Sequence, residues 1–188
     1  TAKLFAGDAD GVGLGLGFGA SLDIWGDVAV VGAPGDQTAG QVEGAVYVFE
    51  RDGNGNWSQT TKLTVSDTGQ LDAAIAEFGT SVSVSGPNIA VGAPGGNFNS
   101  VYLFEDNGMA WVGNGDVSHG SSLDTDFGTS VSLFARQLAV GAPDATQQVN
   151  RIPVTTGEVL LYNADTNNDW SYSASVFPHK VTDGAFGS

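Results

Sequence analysis

One frame recurs three times in this chain and bounds everything it can fold into. Phe18-Gly19 is followed by Gly32-Ala33-Pro34, Phe78-Gly79 by Gly92-Ala93-Pro94, and Phe127-Gly128 by Gly141-Ala142-Pro143. In each copy the second Gly stands thirteen positions after the first, without gap or insertion. Another Phe186-Gly187-Ser188 follows at the end of the sequence. An internal repeat of this size means one supersecondary unit used several times, with each copy burying a face against its neighbour. Residues that recur at the same place in every copy are therefore read first as scaffold.

The unit resolves into four short segments. Ala20–Ile24 matches Thr80–Val84 and Thr129–Leu133, and Val28–Val31 matches Ile89–Val91 and Leu138–Val140. A third block follows: Gly44-Ala-Val-Tyr47-Val-Phe49, Asn99-Ser-Val-Tyr102-Leu-Phe104 and Gly157-Glu-Val-Leu-Leu-Tyr162. A fourth begins at Trp57, Trp111 or Trp170 and runs, in the first copy, to Lys62-Leu63. Ser81-Val82-Ser83-Val84-Ser85 alternates small polar with apolar residues, the period of a strand. The twenty-eight glycines oppose long helices, since each costs about 1 kcal/mol in a helix interior. Only Leu71–Glu77 reads as a short helical turn. Four strands in roughly 50 to 60 residues describe a propeller blade. The expectation is an all-β chain, a β-propeller of four-stranded antiparallel blades. The Pro after Gly-Ala ends the second strand by removing a ladder donor, and the Phe is expected to wedge between blades.

These motifs resemble the FG-GAP repeat family, whose repeats build the propeller of integrin α subunits and of many bacterial surface proteins. The nearest pattern is the short bacterial form, Phe-Gly-x-Ser-Val…Val-Gly-Ala-Pro…Gly-x-x-Tyr-x-Phe…Trp…Lys-Leu, and the likeness covers nearly the whole chain. Calcium-binding integrin blades carry Asp-x-Asp-x-Asp-Gly between Phe-Gly and Gly-Ala-Pro. Here that interval holds only Trp25-Gly26-Asp27, Gly86-Pro87-Asn88 or Ala135-Arg136-Gln137, so the family's metal site does not carry over. Residues 1–188 read as one propeller segment with approximate blades 18–66, 78–118 and 127–177. Lys3-Leu4-Phe5-Ala6 aligns with Lys62-Leu63-Thr64-Val65, which predicts a partial outer strand over 3–6; 186–188 would open a partial inner strand. The partial blades are completed either by more of the same polypeptide, the preferred reading, or by other molecules pairing at open edges.

Twenty-one acidic residues against six basic ones give a net charge of −15. That field repels nucleic-acid phosphates and anionic membrane surfaces, and both are excluded as partners. No stretch approaches the roughly 20 apolar residues of a membrane span. The absence of cysteine excludes disulfides and thiolate metal sites. An extracellular or cell-surface location is expected, with any signal segment upstream of Thr1.

Candidate sites divide into metal loops and ligand loops. Asp52-Gly-Asn54-Gly-Asn56, Asp106-Asn107-Gly108 and Asp165-Thr-Asn167-Asn-Asp169 carry the alternating oxygen donors that calcium takes. All three occupy the same place before the Trp, where Asp, Asn and Gly are also the residues a hairpin turn needs. The turn is the preferred reading, with Asp165, Asn167 and Asp169 kept as metal candidates. Asp8 and Asp10, in a loop that is not repeated, form a second candidate pair. Asp124-Thr125-Asp126 is a weaker case, and no other cofactor is implied. His119 and His179 read as solvated loop residues. Gly11–Gly17 lacks the strand–helix context of a dinucleotide loop. The repeated tryptophans could stack on sugars, yet their fixed place makes them packing residues first.

Loop length separates the two faces. In an antiparallel blade the second-to-third and blade-to-blade connections share one face. The second-to-third connections are unequal, Gly35–Glu43, Gly95–Phe98 and Asp144–Thr156, and variable loops on a rigid scaffold are where binding sits. Asp36, Glu43, Asn97, Asp144 and Arg151 are the candidate ligand-face residues. The favoured function is a non-enzymatic extracellular binding or adhesion module for a protein or glycan partner. The alternatives are a self-assembling surface or fibre component made of further copies, and a metal-dependent or enzyme-associated propeller. The last lacks any converging His, Lys or nucleophile set.

Overall fold

The computed structural model describes residues 2–7, 17–38, 41–69, 76–95, 99–119, 126–149 and 151–177. The strands are β1 (Ser21–Trp25), β2 (Val28–Ala33), β3 (Gln37–Thr38), β4 (Gln41–Val42), β5 (Ala45–Arg51), β6 (Trp57–Leu63), β7 (Ser81–Ser85), β8 (Asn88–Ala93), β9 (Ser100–Asp106), β10 (Trp111–Ser118), β11 (Ser130–Phe134), β12 (Gln137–Ala142), β13 (Thr146–Val149), β14 (Ile152–Thr155), β15 (Glu158–Ala164) and β16 (Trp170–Val176). They make three four-stranded antiparallel sheets with orders β1-β2-β5-β6, β7-β8-β9-β10 and β11-β12-β15-β16. These are propeller-like blades, one for each copy of the repeat. Each second strand stops at the Ala of Gly-Ala-Pro, where proline removes the next donor.

The register is identical across blades. Ser21, Ser81 and Ser130 face Gly32, Gly92 and Gly141 in the first ladder. In each blade the Phe-Gly amide donates to the carbonyl of that same Gly: Gly19 to Gly32 at 3.0 Å, Gly79 to Gly92 at 3.1 Å and Gly128 to Gly141 at 3.0 Å. The Phe-Gly carbonyl is then taken by the previous blade. Ser21 Oγ donates to the Gly79 carbonyl at 2.8 Å, and Ser81 Oγ donates to the Gly128 carbonyl at 2.7 Å. The space for that carbonyl exists because Gly32 and Gly92 have no side chain; a Cβ on either would overlap it. Gly79 meets the approach with φ of 92°, a backbone state that disfavours any other residue.

Further along the inner strands, side chains reach the backbone of the next blade. Asp23 accepts the Val84 amide and the Ser83 hydroxyl, both at 2.9 Å. Ser83 Oγ in turn accepts from the Leu133 amide at 3.0 Å, and Ser85 Oγ from the Ala135 amide at 2.9 Å. Every second residue thus ties to the following blade, while Val82 and Val84 pack toward the preceding one.

The apolar cores lie between blades. Phe78 is fully buried among Val30, Val46, Val48 and Leu63 of the first blade and Val82, Val91 and Phe104 of the second. Phe127 holds the same position between Ala90, Val101 and Leu103 of the second blade and Leu138 and Val140 of the third. The expected wedge is what these rings form. Burying one Phe side chain contributes about 1.5–3 kcal/mol. Trp111 packs into the first of these cores and its indole N–H reaches Glu50 at 3.4 Å; Trp170 packs into the second. Trp111 and Trp170 thus bind blade to blade, as scaffold, while Trp57 packs against the cluster of its own blade that also takes Leu4.

Three sequence expectations need adjustment, and a fourth falls outside the described residues. The one described helix is a 3-10 turn at Val65–Thr68, ahead of the expected Leu71–Glu77. Thr64 and Asp67 create it, because the Asp67 carboxylate accepts the Thr64 amide at 2.7 Å and hydroxyl at 2.9 Å, and Gly69 ends it at φ 81°. Ala76 and Glu77 are not helical, and 71–75 lie outside the described residues. Residues 3–6 are not a strand, since no described segment offers them a ladder; Leu4 and Ala6 instead pack beside Phe18 and Tyr47. The unequal second-to-third connections hold small hairpins, β3–β4 and β13–β14. The expected inner strand at 186–188 lies outside the described residues.

Adding a methyl group where the blades close should be costly. Gly92→Ala is expected to lower the unfolding free energy by about 2–3 kcal/mol through overpacking against the Gly128 carbonyl. Gly53→Ala, in an uncrowded turn, should change it by less than about 0.5 kcal/mol. Urea unfolding followed by circular dichroism checks both, and equal effects would contradict the close-approach reading.

Candidate functional site

The long-loop face does not present all the residues expected of it. Asp36 is fully buried. Its carboxylate accepts the Tyr47 hydroxyl and, at 3.1 Å, the Lys62 ammonium, while its carbonyl accepts the Gly44 amide at 3.1 Å. Lys62 also lies 5.2 Å above the Tyr47 ring. Asp36 is therefore a structural charge that closes the Gly35–Glu43 connection onto its own blade. Glu43 is withdrawn as well: its carbonyl accepts the Phe78 amide at 3.0 Å, and its Oε2 is buried without a hydrogen-bond partner. Burial removes both from direct contact with a ligand. Asn97 lies outside the described residues.

Asp144 and Arg151 do lie at the surface. Asp144 leads into β13, and Arg151 follows the tip of the β13–β14 hairpin with φ of 66°. The base of that hairpin is pinned by the Thr156 and Gly157 amides, which donate to the Ala145 carbonyl at 3.0 and 3.1 Å. Beyond the pin, β13 and β14 pair with each other and not with the blade.

The Asp/Asn-rich turns are built as turns. Asp165 Oδ1 accepts the amides of Asn167 at 2.7 Å and Asp169 at 3.0 Å, and Asn168 takes φ of 66°. Asp52 Oδ1 does the same with Asn54 and Asn56, at 2.9 and 2.8 Å. The Asn56 amide holds the Asp52 carboxyl below the usual carboxylate range. Oxygen donors directed at their own backbone satisfy the hairpin. Among the described residues no group of three or more His, Asp or Glu is arranged to hold a metal. Asp8 and Asp10 lie outside the described residues, as do Asp124 and His179.

His119 is not a solvated loop residue. Its Nε2 sits 3.2 Å from Glu158 Oε2, and its ring meets Phe127 edge-on at 6.2 Å. Beside it Tyr162 donates its hydroxyl to the Ser118 carbonyl at 3.0 Å. Burial, then the neighbouring Tyr172 and Glu158, pushes the Tyr162 phenol up to about 12. Tyr102 is raised by burial and by the Asp116 carboxylate. The His119–Glu158 and Tyr162–Ser118 contacts join the second and third blades, whereas Tyr102 lies in the core between the first and second.

The opposite face, where the tight turns emerge, carries a cavity of about 470 Å³. The β1–β2, β7–β8 and β11–β12 turns and the β15–β16 turn converge on it, supplying Trp25, Pro87, Phe134 and Asn167 among others. Uniform turn length directs attention away from this face in the sequence. A signal is nonetheless present: the last residue of the inner strand is Trp25, Ser85 or Phe134, so two copies break the pattern with a large aromatic.

The FG-GAP repeat model matches residues 1–49 and 57–104. The third copy, outside those spans, repeats their register and hydrogen bonds. Comparison with curated proteins finds no match.

Two outcomes test the buried groups. Asp36→Ala removes a buried carboxylate that both Lys62 and Tyr47 bind and is expected to cost about 3–5 kcal/mol in urea unfolding, as breaking a buried pair does; Asp144→Ala should be near neutral. For Tyr162, the folded chain holds the phenol proton more tightly than the unfolded chain, whose value is about 10. Its stabilising contribution is therefore whole below about pH 10 and lost as pH rises through about 12. Absorbance titration of tyrosinate should show a late component that Tyr162→Phe removes.

Proposed function

Since the chain belongs to the FG-GAP repeat family, we propose that it is a non-catalytic binding module of extracellular or cell-surface type. It engages a protein partner on the face of the second-to-third connections. The β13–β14 hairpin carries the reading. Ile152 and Val154 stand 63% and 40% exposed on it, and Val42 of the β3–β4 hairpin is 43% exposed. The scaffold does not require this projection, because the middle copy joins the same two strands through the short Gly95–Phe98. Grouped exposed apolar side chains beside a charged tip are what a protein interface uses, with Arg151 supplying a cation on an otherwise acidic chain. Family membership supports the non-catalytic and extracellular parts of the reading. No helix among the described residues is long and apolar enough to cross a membrane.

A second reading, a self-assembling surface component, is favoured by a different observation. Leu22 and Ile24 are 72% and 58% exposed on the outward side of the first blade, whereas their counterparts Val82 and Val84 are 7% and 2% exposed. A further blade, from the same or another chain, would cover them.

Replacing residues 146–155 with a short Gly-Ser link should leave the melting temperature within about 2 °C, because the Ala145 closure remains. The same change should abolish binding to proteins that the intact chain captures on an array of extracellular proteins. Equal binding by both, or none by the intact chain, overturns the proposal. Light scattering over a hundredfold concentration range separates the second reading, since a discrete module keeps one size.

A further inference from the structure

We propose that the cavity on the tight-turn face is a binding site for a neutral saccharide of about one to three rings. It lies on the side of the blades opposite the β13–β14 hairpin and does not depend on the protein-partner reading. Its volume, about 470 Å³, falls in the range of small-molecule sites.

The lining specifies the chemistry. Trp25 and Phe134 are 47% and 66% exposed, and both line the cavity. Neither ring is needed to end an inner strand, because Ser85 occupies the same position in the middle blade. Large aromatic faces held open at a cavity suit a ligand with an apolar surface of its own. Around them stand Arg136, Glu105 and the Asn167 amide. Among the described residues neither the Arg136 guanidinium nor the Glu105 carboxylate has an ion-pair partner. One offers only donors and the other only acceptors. A ligand must then both donate and accept, and carry no strong charge of either sign. Sugar hydroxyls do both, and the C–H face of a pyranose supplies the apolar surface. A nucleotide or other polyanion is disfavoured by the Glu105 carboxylate and the net charge of −15.

The walls are preorganised, which lowers the ordering cost of binding. The Asp106 amide donates to the Pro87 carbonyl at 2.8 Å and the Ala164 amide to the Arg136 carbonyl at 2.9 Å, so two of the turns are clamped. Asn168 Nδ2 donates to Asn88 Oδ1 at 2.7 Å, joining the second and third blades beneath the cavity.

The test is titration of the intact chain with cellobiose, maltose, lactose and N,N′-diacetylchitobiose, read by tryptophan fluorescence and saturation-transfer NMR. At least one sugar is expected to bind saturably with Kd of roughly 0.1–10 mM. Trp25→Ala and Phe134→Ala should each weaken it about tenfold or more, Arg136→Gln several-fold, and Trp57→Phe should leave it unchanged. If an alanine variant loses its melting transition, Trp25→Phe and Arg136→Gln carry the same test on folded protein. No saturable binding by any of the four sugars overturns the proposal, as does affinity unaltered by the Trp25 and Phe134 changes. So does saturable binding of a capped Arg-Glu tetrapeptide with none of the sugars.

Discussion

A glycine carbonyl caught between two blades organises this molecule. The Gly79 oxygen receives the Ser21 hydroxyl while the Gly79 amide donates to Gly92, so one residue is bonded backward to the first blade and inward to its own. Gly128 repeats this with Ser81 and Gly141. The carbonyl reaches the seryl oxygen only over a residue without a side chain, which is the role of Gly32 and Gly92. Individually each bond contributes about 1 kcal/mol. Collectively they set the spacing at which Phe78 and Phe127 fill the gap, and the burial of those rings stabilises the contact more than any single bond does. Polar latch and apolar wedge belong to one dipeptide, so distance and packing are set together.

This arrangement leaves the two ends of each blade free of structural duty to different degrees. At one end the hydrogen bonds of Ser83 and Ser85 to Leu133 and Ala135 hold the inner turns close, and a rigid concave surface results. At the other end the second-to-third connections need only close their own base, as Ala145 does with Thr156 and Gly157. Projection is tolerated there, and concavity is built at the opposite end. The two proposed binding sites therefore fall at opposite ends of one scaffold.

Much of the fold was legible because it is periodic. Strand alternation, the Gly-Ala-Pro stop and the Asp-led hairpins each appear three times, and repetition separates turn chemistry from metal chemistry: Asp52 and Asp165 bind their own backbones in the same way. The site was less legible. Asp36 looks like a surface loop residue until Tyr47 and Lys62, 11 and 26 residues away, converge on its carboxylate. His119 stands isolated in the chain until Glu158, 39 residues on, comes within 3.2 Å. Neither partner stands at a local spacing that a motif could encode.

By itself the sequence determined the unit: four antiparallel strands, the positions of the close-approach glycines, the interblade phenylalanines and the net charge of −15. Local backbone preference and a period repeated without insertion suffice for that. Tertiary structure alone decided which loop residues were buried and which face was concave. Trp25, Phe134 and Asn167 are far apart in the chain and meet only because three blades stack at the distance that the glycine latch imposes.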